Sequence, residues 1–157
     1  RADDLKVLLS REDILSLLDI VRRVPAPEDV IHFATSIVRS SRPKSGACPA
    51  DVKEYLHWGA SPRGVQCLIV AGKARAMLHG RHAVAREDIL AVAKPVLRHR
   101  IIPNYHAEAE GKTTDWIVDR LLRHATGEPE PQARKQTFWD KVRATFRKPN
   151  AVAAATA

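Results

Sequence analysis

The feature that most constrains this chain is a succession of apolar residues at helical spacing, interrupted at intervals by proline and glycine. The first stretch follows Ser10, a good N-cap residue, and ends before Pro25, which cannot continue a helix. The pattern predicts further helices around 30–38, 51–56, 62–79 and 86–100, and a sixth from Thr113. The apolar positions of the first two helices are Ile14, Leu17, Leu18, Val21, Val30, Phe33, Ala34, Ile37 and Val38.

The composition agrees with a single helical domain. Apolar residues make up 45% of the 157 residues, enough to bury a core, whereas aromatic residues make up 5%. Alanine, leucine, valine and arginine dominate, which favours helices over sheets. We therefore predict an all-α fold, a small helical bundle. No apolar run approaches the ~20 residues of a membrane span, so we expect a cytoplasmic protein.

The cysteines and histidines predict neither a metal site nor a catalytic site. Cys48 and Cys67 have neither zinc-site spacing nor the pattern of a disulfide framework, and we expect both to be reduced thiols. The seven histidines show no i, i+4 pair on one face with a carboxylate or thiol partner. No grouping of serine, histidine and an acid can be assembled from spacing, so no catalytic residue is predicted in this chain.

The sequence AEGKTTDW at 109–116 ends like a phosphate-binding loop. A complete loop needs an earlier glycine, five residues before Gly111, where this chain has His106, and it must follow a buried strand. The residues before Gly111 are polar and acidic instead. Thr113 is better explained as an N-cap, with Asp115 in the first turn complementing the helix dipole. The segment therefore predicts the start of a helix.

The net charge of +8 would suit a nucleic-acid-binding protein, but it is unevenly placed. Residues 134–148 contain six lysines or arginines against one acid, Asp140, and the rest of the chain has only +3. There, acids and bases are interspersed as on a solvated surface, which argues against nucleic acid as the partner. A basic helical module that binds nucleic acid or acts as an adaptor stays the alternative function. Its affinity would fall steeply with salt, because phosphate contacts release counterions.

The C-terminal part is predicted to extend the bundle. After Gly127 the sequence EPEPQARK indicates a linker, residues 137–148 a basic amphipathic helix, and NAVAAATA a disordered tail. The aromatic face of this helix suits an anionic membrane surface at the cytoplasmic face or a partner groove. Packing of this face back onto the bundle is the alternative, and these explanations stay open.

The stretch WGASPRG at 58–64 places an arginine at the start of the 62–79 helix. Ser61 is a good N-cap, and Pro62 suits the first helical position because its missing N–H is not needed there. Arg63 is then held in the first turn, where a cation opposes the helix dipole at a cost of about 0.3–1 kcal/mol unless an anion lies opposite. A guanidinium there can bind a phosphate through two hydrogen bonds. An ordinary surface arginine is the alternative explanation.

Four segments, in this order, resemble the C-terminal lid of the MoxR family of AAA+ ATPases: DVKEYLHWGASPRG, AGKARAMLHGRHAV, PVLRHRI and AEAEG. The upstream segments SREDILSLLDIVRRV and FATSIVRSSR resemble the same region, so the resemblance covers residues 5–124. Two positions depart from the family. Gly64 stands where alanine is more usual, at a cost of ~1 kcal/mol to the helix start, and SSR at 40–42 replaces the more usual ATR.

The resemblance implies a role in nucleotide sensing. In AAA+ ATPases the lid closes over nucleotide bound to a separate core, and the arginine of GASPR is the sensor 2 residue that touches the γ-phosphate. That residue is Arg63 here, positioned by Ser61 and Pro62. The resemblance also implies ATP and Mg in the intact enzyme, neither bound by this chain alone. It further implies chaperone-like remodelling or assembly of partner proteins, a homo-oligomeric ring, expected to be a hexamer, and von Willebrand A-type domain proteins as clients.

On this resemblance the chain divides into three parts. Residues 1–10 would be a linker from an AAA+ core, residues 11–125 the helical lid domain, and residues 126–157 the linker, basic helix and tail. The sequence contains no phosphate loop, Walker B acids or arginine finger region, so we expect no ATP hydrolysis by this chain alone. The cationic residues RHR at 98–100 are expected to complement the C-terminus of their helix, with phosphate or a neighbouring subunit as the alternative contact.

Overall fold

Seven helices and two short strands follow one another in residues 8–128, the part of the chain that the computed structural model describes. In order they are α1 (Arg11–Arg23), α2 (Glu28–Ser40), α3 (Ala50–Lys53), β1 (Leu56–Trp58), α4 (Pro62–Leu78), α5 (Arg86–Leu97), β2 (Ile102–Pro103), α6 (Tyr105–Ala109) and α7 (Thr114–Thr126). The predicted all-α bundle is confirmed, with the small antiparallel ribbon β1–β2 as an addition.

The core lies where α4 meets α2 and α5, with α7 closing it against α2 and α5. Its largest fully buried aliphatic side chains are Ile37, Leu68, Ile89, Leu97, Ile117 and Leu121. Each buried leucine or isoleucine stabilises the fold by about 1.5–3 kcal/mol relative to an exposed one. Helices α4 and α5 lie close together because α4 has Gly72 at the contact, where an added Cβ would lie 3.0 Å from Ile89 Cδ1.

Two helices begin at the caps that the sequence predicts. At α1, Ser10 Oγ accepts a hydrogen bond from Asp13 N at 3.1 Å, and the Asp13 carboxylate accepts one from Ser10 N at 2.9 Å. At α7, Thr113 Oγ1 accepts from Trp116 N at 3.2 Å, so the segment GKTT is a helix start. These bonds satisfy backbone N–H groups that have no partner within the helix.

Helix α1 is predicted correctly, but its apolar face is mostly uncovered. Val21 is buried, whereas Ile14 and Leu18 remain 48% and 51% exposed. Among the described elements α1 packs mainly against α4. One neighbouring helix can cover only part of the apolar side of another, so an apolar strip of α1 remains on the surface of residues 8–128.

The predicted helix over 51–56 is wrong in its second half. Helix α3 ends at Lys53, and the chain then enters β1, whose pairing partner β2 lies beyond two further helices. The pairing sets Leu56 opposite Pro103 and Trp58 opposite Ile102. Helix α5 likewise ends at Leu97, three residues before the predicted end at 100. At β1 the pairing with a distant segment replaces the local helical pattern.

Several predictions fall at the ends of the described region. The linker, basic amphipathic helix and tail are predicted over residues 126–157. Residues 129–157 of this part, including 137–148, lie outside the described residues, as do residues 1–7 of the predicted N-terminal linker. Within 8–128 no helix is long and apolar enough to cross a bilayer. Cys48 and Cys67 are both free thiols, as predicted.

Candidate functional site

Helix α4 begins as the sequence predicts. Ser61 occupies the N-cap position with an extended backbone, φ −77° and ψ 170°, and Pro62 is the first helical residue. Arg63 therefore lies in the first turn, which contains no acidic residue. The Ser61 hydroxyl accepts no hydrogen bond from that turn, so its contribution to the cap comes from the backbone alone.

The loop before α4 is fixed by the end of α2. The buried Ser41 Oγ accepts a hydrogen bond from Ala60 N at 2.9 Å and donates one to Val38 O at 2.7 Å. Arg42 Nε donates to Ala60 O at 3.3 Å. Both backbone groups of Ala60 are thus held by side chains from one short segment. These bonds position the first turn of α4, and with it Arg63, against the bundle.

Gly59 is required by the close approach of this loop to α2. A Cβ added at Gly59 would lie 2.2 Å from Ser41 O and 2.6 Å from Ser41 C, which are backbone atoms that cannot rotate away. We expect Gly59→Ala to destabilise the bundle by about 1–3 kcal/mol, because the two backbone segments must move apart.

The measurement for Gly59→Ala is the free energy of unfolding in urea. Gly46→Ala is the matched control, since an added Cβ at Gly46 meets no atom within 4 Å and the backbone there has no positive φ. The control is expected to keep or slightly raise the stability. Equal stability of the two variants would contradict the close approach at Gly59.

Arg63 borders an open groove of about 790 Å³ that is lined by residues of α1, α4 and α5. Val70, Val92 and Val96 contribute to an apolar lining, while Arg63 shares the groove with His99 and Arg100. None of the groove's lining residues is an acid. An apolar, acid-free surface with cations on it attracts anions, because little nearby negative charge offsets the positive potential.

Arg63 is exposed and has no hydrogen bond or ion pair with any residue of the described part of the chain. Ser61 and Pro62 line a different cavity, of about 600 Å³, beside the exposed Trp58. The structure therefore does not bring the three predicted site residues to one surface. Ser61 and Pro62 fix the backbone conformation at the start of α4, and of these three residues only Arg63 lines the groove.

The two arginines at positions 98 and 100 differ in their hydrogen-bond partners. Arg98 donates two hydrogen bonds of 2.7 Å to the carboxylate of Asp115 on α7, and this pairing lowers the pKa of Asp115. Arg100 contacts no carboxylate; its partners are Val96 O, the His99 ring and Cys67 Sγ, the last at 3.3 Å. The bond to Val96 O agrees with the predicted complement to the end of α5. Arg98 instead joins α5 to α7.

A buried ionic cluster that the sequence analysis missed joins the end of α4 to the start of α5. Asp88 is fully buried and accepts hydrogen bonds from Arg75 at 2.9 Å, from both terminal nitrogens of Arg81, and from Ala85 N at 3.0 Å. The Arg81 hydrogen bonds are the main cause that lowers the pKa of Asp88 to about 2. In the sequence, Arg75, Arg81 and Asp88 are charged residues near the end of α4 and the start of α5. That their side chains meet depends on how the two helices pack.

Lys112 of the segment GKTT contacts an aromatic ring. Its Nζ lies 4.8 Å from the centroid of the Trp116 ring, a cation–π contact that accounts for this lysine without a phosphate.

Among the described residues no group of three or more histidine, cysteine, aspartate or glutamate side chains could hold a metal ion.

Comparison with known proteins identifies the region around Arg63. The AAA lid domain family matches residues 49–121, which include α4, α5 and the loop before them. A chaperone, MoxR1 of Mycobacterium tuberculosis, is 30% identical over 118 residues, which are 75% of this chain and 31% of the relative. The chain contains the C-terminal lid region of a MoxR-type AAA+ ATPase.

Two further proteins resemble this lid. Protein MoxR of Paracoccus denitrificans is 44% identical over 63 residues, 39% of the chain and 19% of the relative. A crystal structure of a presumed ATPase from Cytophaga hutchinsonii superposes with a TM-score of 0.68 and 31% identity, over 79% of this chain and 39% of the other. The lid thus spans less than two fifths of the length of these three proteins.

Gly64 of the lid has room for a methyl group. An added Cβ would lie 3.4 Å from Ala60 Cβ, 3.5 Å from Val38 Cγ2 and 3.7 Å from Leu97 Cδ2, all ordinary van der Waals contacts. We expect Gly64→Ala to stabilise the lid by about 0.5–1 kcal/mol, because alanine restricts the unfolded chain and favours the helix.

Thermal unfolding of Gly64→Ala should show a melting temperature a few degrees above that of the parent lid. Gly72→Ala serves as the control, since its Cβ would lie 3.0 Å from Ile89 Cδ1 and 3.1 Å from Val84 Cγ1 and should crowd the α4–α5 contact. A lower melting temperature for Gly64→Ala would show that the first turn of α4 does not tolerate the methyl group.

Proposed function

We propose that this chain is the lid that closes over ATP bound to a separate AAA+ core, with Arg63 as the sensor 2 residue that contacts the γ-phosphate. The observation that supports it is the arginine itself. It is exposed in an acid-free first turn and has no partner among the described residues, although it opposes the dipole of α4. A phosphate at this position would satisfy both the guanidinium and the N-terminal N–H groups. Loss of ATP turnover in Arg63→Ala is the direct test.

The exposed strip of α1 supports docking of the lid onto a further domain. Ile14, Leu15 and Leu18 are each about half exposed and are neighbours on one side of the helix. Contiguous apolar surface of this kind marks an interaction site in a folded protein. An AAA+ core of the same polypeptide is the partner that we propose for it, with residues 1–10 as the linker between them and residues 11–125 as the lid domain.

Closure of such a lid would couple ATP hydrolysis to movement of a whole helical domain. An arginine fixed at the start of α4 senses loss of the γ-phosphate, and the packed bundle moves as one body because α4 contacts α1, α2 and α5. We propose that ATP and Mg are bound by the intact enzyme and that the chain alone does not hydrolyse ATP. Remodelling or assembly of partner proteins is the activity that this movement would drive.

The remaining features of the proposal come from the family. They are a homo-oligomeric ring, expected to be hexameric, and clients with von Willebrand A-type domains. The cytoplasmic location and the membrane contact through residues 137–148 are proposed from the sequence pattern instead. The pairing of surface bases with acids argues against the alternative of a nucleic-acid-binding module. Several basic residues of the described surface are paired in this way, as in Lys94 with Asp119 at 2.8 Å and Arg98 with Asp115 at 2.7 Å.

A further inference from the structure

The groove beside Arg63 contains a second arginine whose charge no carboxylate offsets. Arg100 Nη2 donates to Cys67 Sγ at 3.3 Å, and Cys67 lies four residues after Arg63 on α4. Residues four apart on a helix are neighbours on one face, with Cβ atoms about 5–6 Å apart. The Arg100 guanidinium therefore lies within roughly one helical turn of the base of the Arg63 side chain.

The hydrogen bonds of Arg100 fix the position of its guanidinium without neutralising it. Its partners are a backbone carbonyl, the ring of His99 and a thiol. Arg98, two residues earlier, shows the opposite arrangement, with both of its hydrogen bonds to the carboxylate of Asp115. A guanidinium that is held in place but has no counter-charge is preorganised for an anion, because little conformational entropy is lost when the anion binds.

Two guanidinium groups on one groove without acids are matched in charge by a polyphosphate. Each arginine can bind a phosphate oxygen pair, and the groove lining contains no carboxylate that would repel it. We propose that Arg100 is a second phosphate-contacting residue, which faces the bound nucleotide from the end of α5 together with Arg63 at the start of α4. This inference rests on the proposed function, since it assigns the same ligand to the same groove.

The start of α4 and the end of α5 meet at the groove, so one anion can contact both helices. Loss of the terminal phosphate would then release two anchors of the bundle. The competing explanation is that Arg100 only complements the C-terminus of α5 through Val96 O.

The experiment measures the dissociation constants of ATP and of ADP for the complete ATPase and its variants. Arg100→Gln keeps a hydrogen-bond donor for Val96 O but removes the charge, and we expect it to weaken ATP binding about 10- to 100-fold. ADP binding should weaken less, so the ratio of the two constants should change. Arg100→Lys should recover part of the ATP affinity, because a point charge remains.

Arg98→Gln is the matched control, since it removes a neighbouring charge that is already paired with Asp115. It should leave both dissociation constants within about twofold of the parent. An unchanged ATP affinity and ATP/ADP ratio in Arg100→Gln would overturn the inference.

The same assay on Arg63→Ala separates the two claims. If only Arg63→Ala weakens ATP binding, the proposed function stands and Arg100 is a helix-capping group. If only Arg100→Gln does so, Arg100 contacts nucleotide and Arg63 does not contribute to the binding affinity. If neither variant changes nucleotide binding, the inference is wrong, and ATP turnover in Arg63→Ala then decides the proposed function.

Discussion

Arg63→Ala in the complete ATPase is expected to lower the rate of ATP turnover by about 100-fold, the usual loss when one charged or hydrogen-bonding contact to the reacting group is removed. The melting temperature should change by no more than a degree or two. Arg63 is exposed and makes no hydrogen bond or ion pair with the rest of the described chain, so its removal costs the fold little. Steady-state phosphate release and thermal unfolding of the same preparations give both values.

Arg86→Ala is the matched control for this prediction. Arg86 is also an exposed arginine in the first turn of a helix, but it does not border the groove, and its 3.4 Å ion pair with Asp29 lies on the surface. Such pairs contribute little to stability. Turnover in Arg63→Ala that equals turnover in Arg86→Ala would remove Arg63 from the nucleotide site.

Asp88→Asn is expected to destabilise the lid by about 2–4 kcal/mol. The substitution keeps the size of the side chain but removes the charge that two arginines share in a fully buried position. The cost falls short of the largest values for broken buried pairs, because Arg75 and Arg81 are each about a third exposed and retain some water. Urea unfolding at neutral pH measures the difference.

The control for Asp88 is Asp119→Asn, which removes one partner of the exposed ion pair with Lys94. We expect a loss of under about 1 kcal/mol from this variant. The contrast tests burial, since both aspartates pair with a base at a similar distance, 2.9 Å for Asp88 with Arg75 and 2.8 Å for Asp119 with Lys94. Equal losses would mean that the buried cluster contributes no more than a surface pair.

Because the pKa of Asp88 is lowered in the folded lid, the stability lost in Asp88→Asn should depend on pH. The pKa is about 2 in the folded lid and near 3.8 when the chain unfolds, so the folded state holds the proton less tightly. The carboxylate therefore stabilises the fold fully above about pH 5, by roughly 2 kcal/mol, and this contribution is lost progressively as the pH falls towards 2. The stability difference between the parent and Asp88→Asn should narrow over that interval. Parallel stability curves from pH 5 to 2 would contradict the assignment.

The sequence alone determined the long helices of this protein and the position of its candidate sensor. Ser10 and Thr113 cap α1 and α7 as predicted, and Pro62 places Arg63 in the first turn of α4. These signals act within about four residues of the chain, the reach of one helical turn, so a single stretch contains the whole cause. The resemblance to the MoxR lid rests on the same segments, and comparison confirmed it.

Only the tertiary structure decided which side chains meet. Arg98 pairs with Asp115 17 residues away, and Arg100 reaches Cys67 33 residues away, although the two arginines look alike in the sequence. The β1–β2 ribbon, the burial of Asp88 and the uncovered side of α1 depend in the same way on how the helices pack. The spacing of residues in the sequence predicts which face of a helix is apolar or charged. It does not predict which residues pack against that face, because that depends on contacts between segments far apart in the chain.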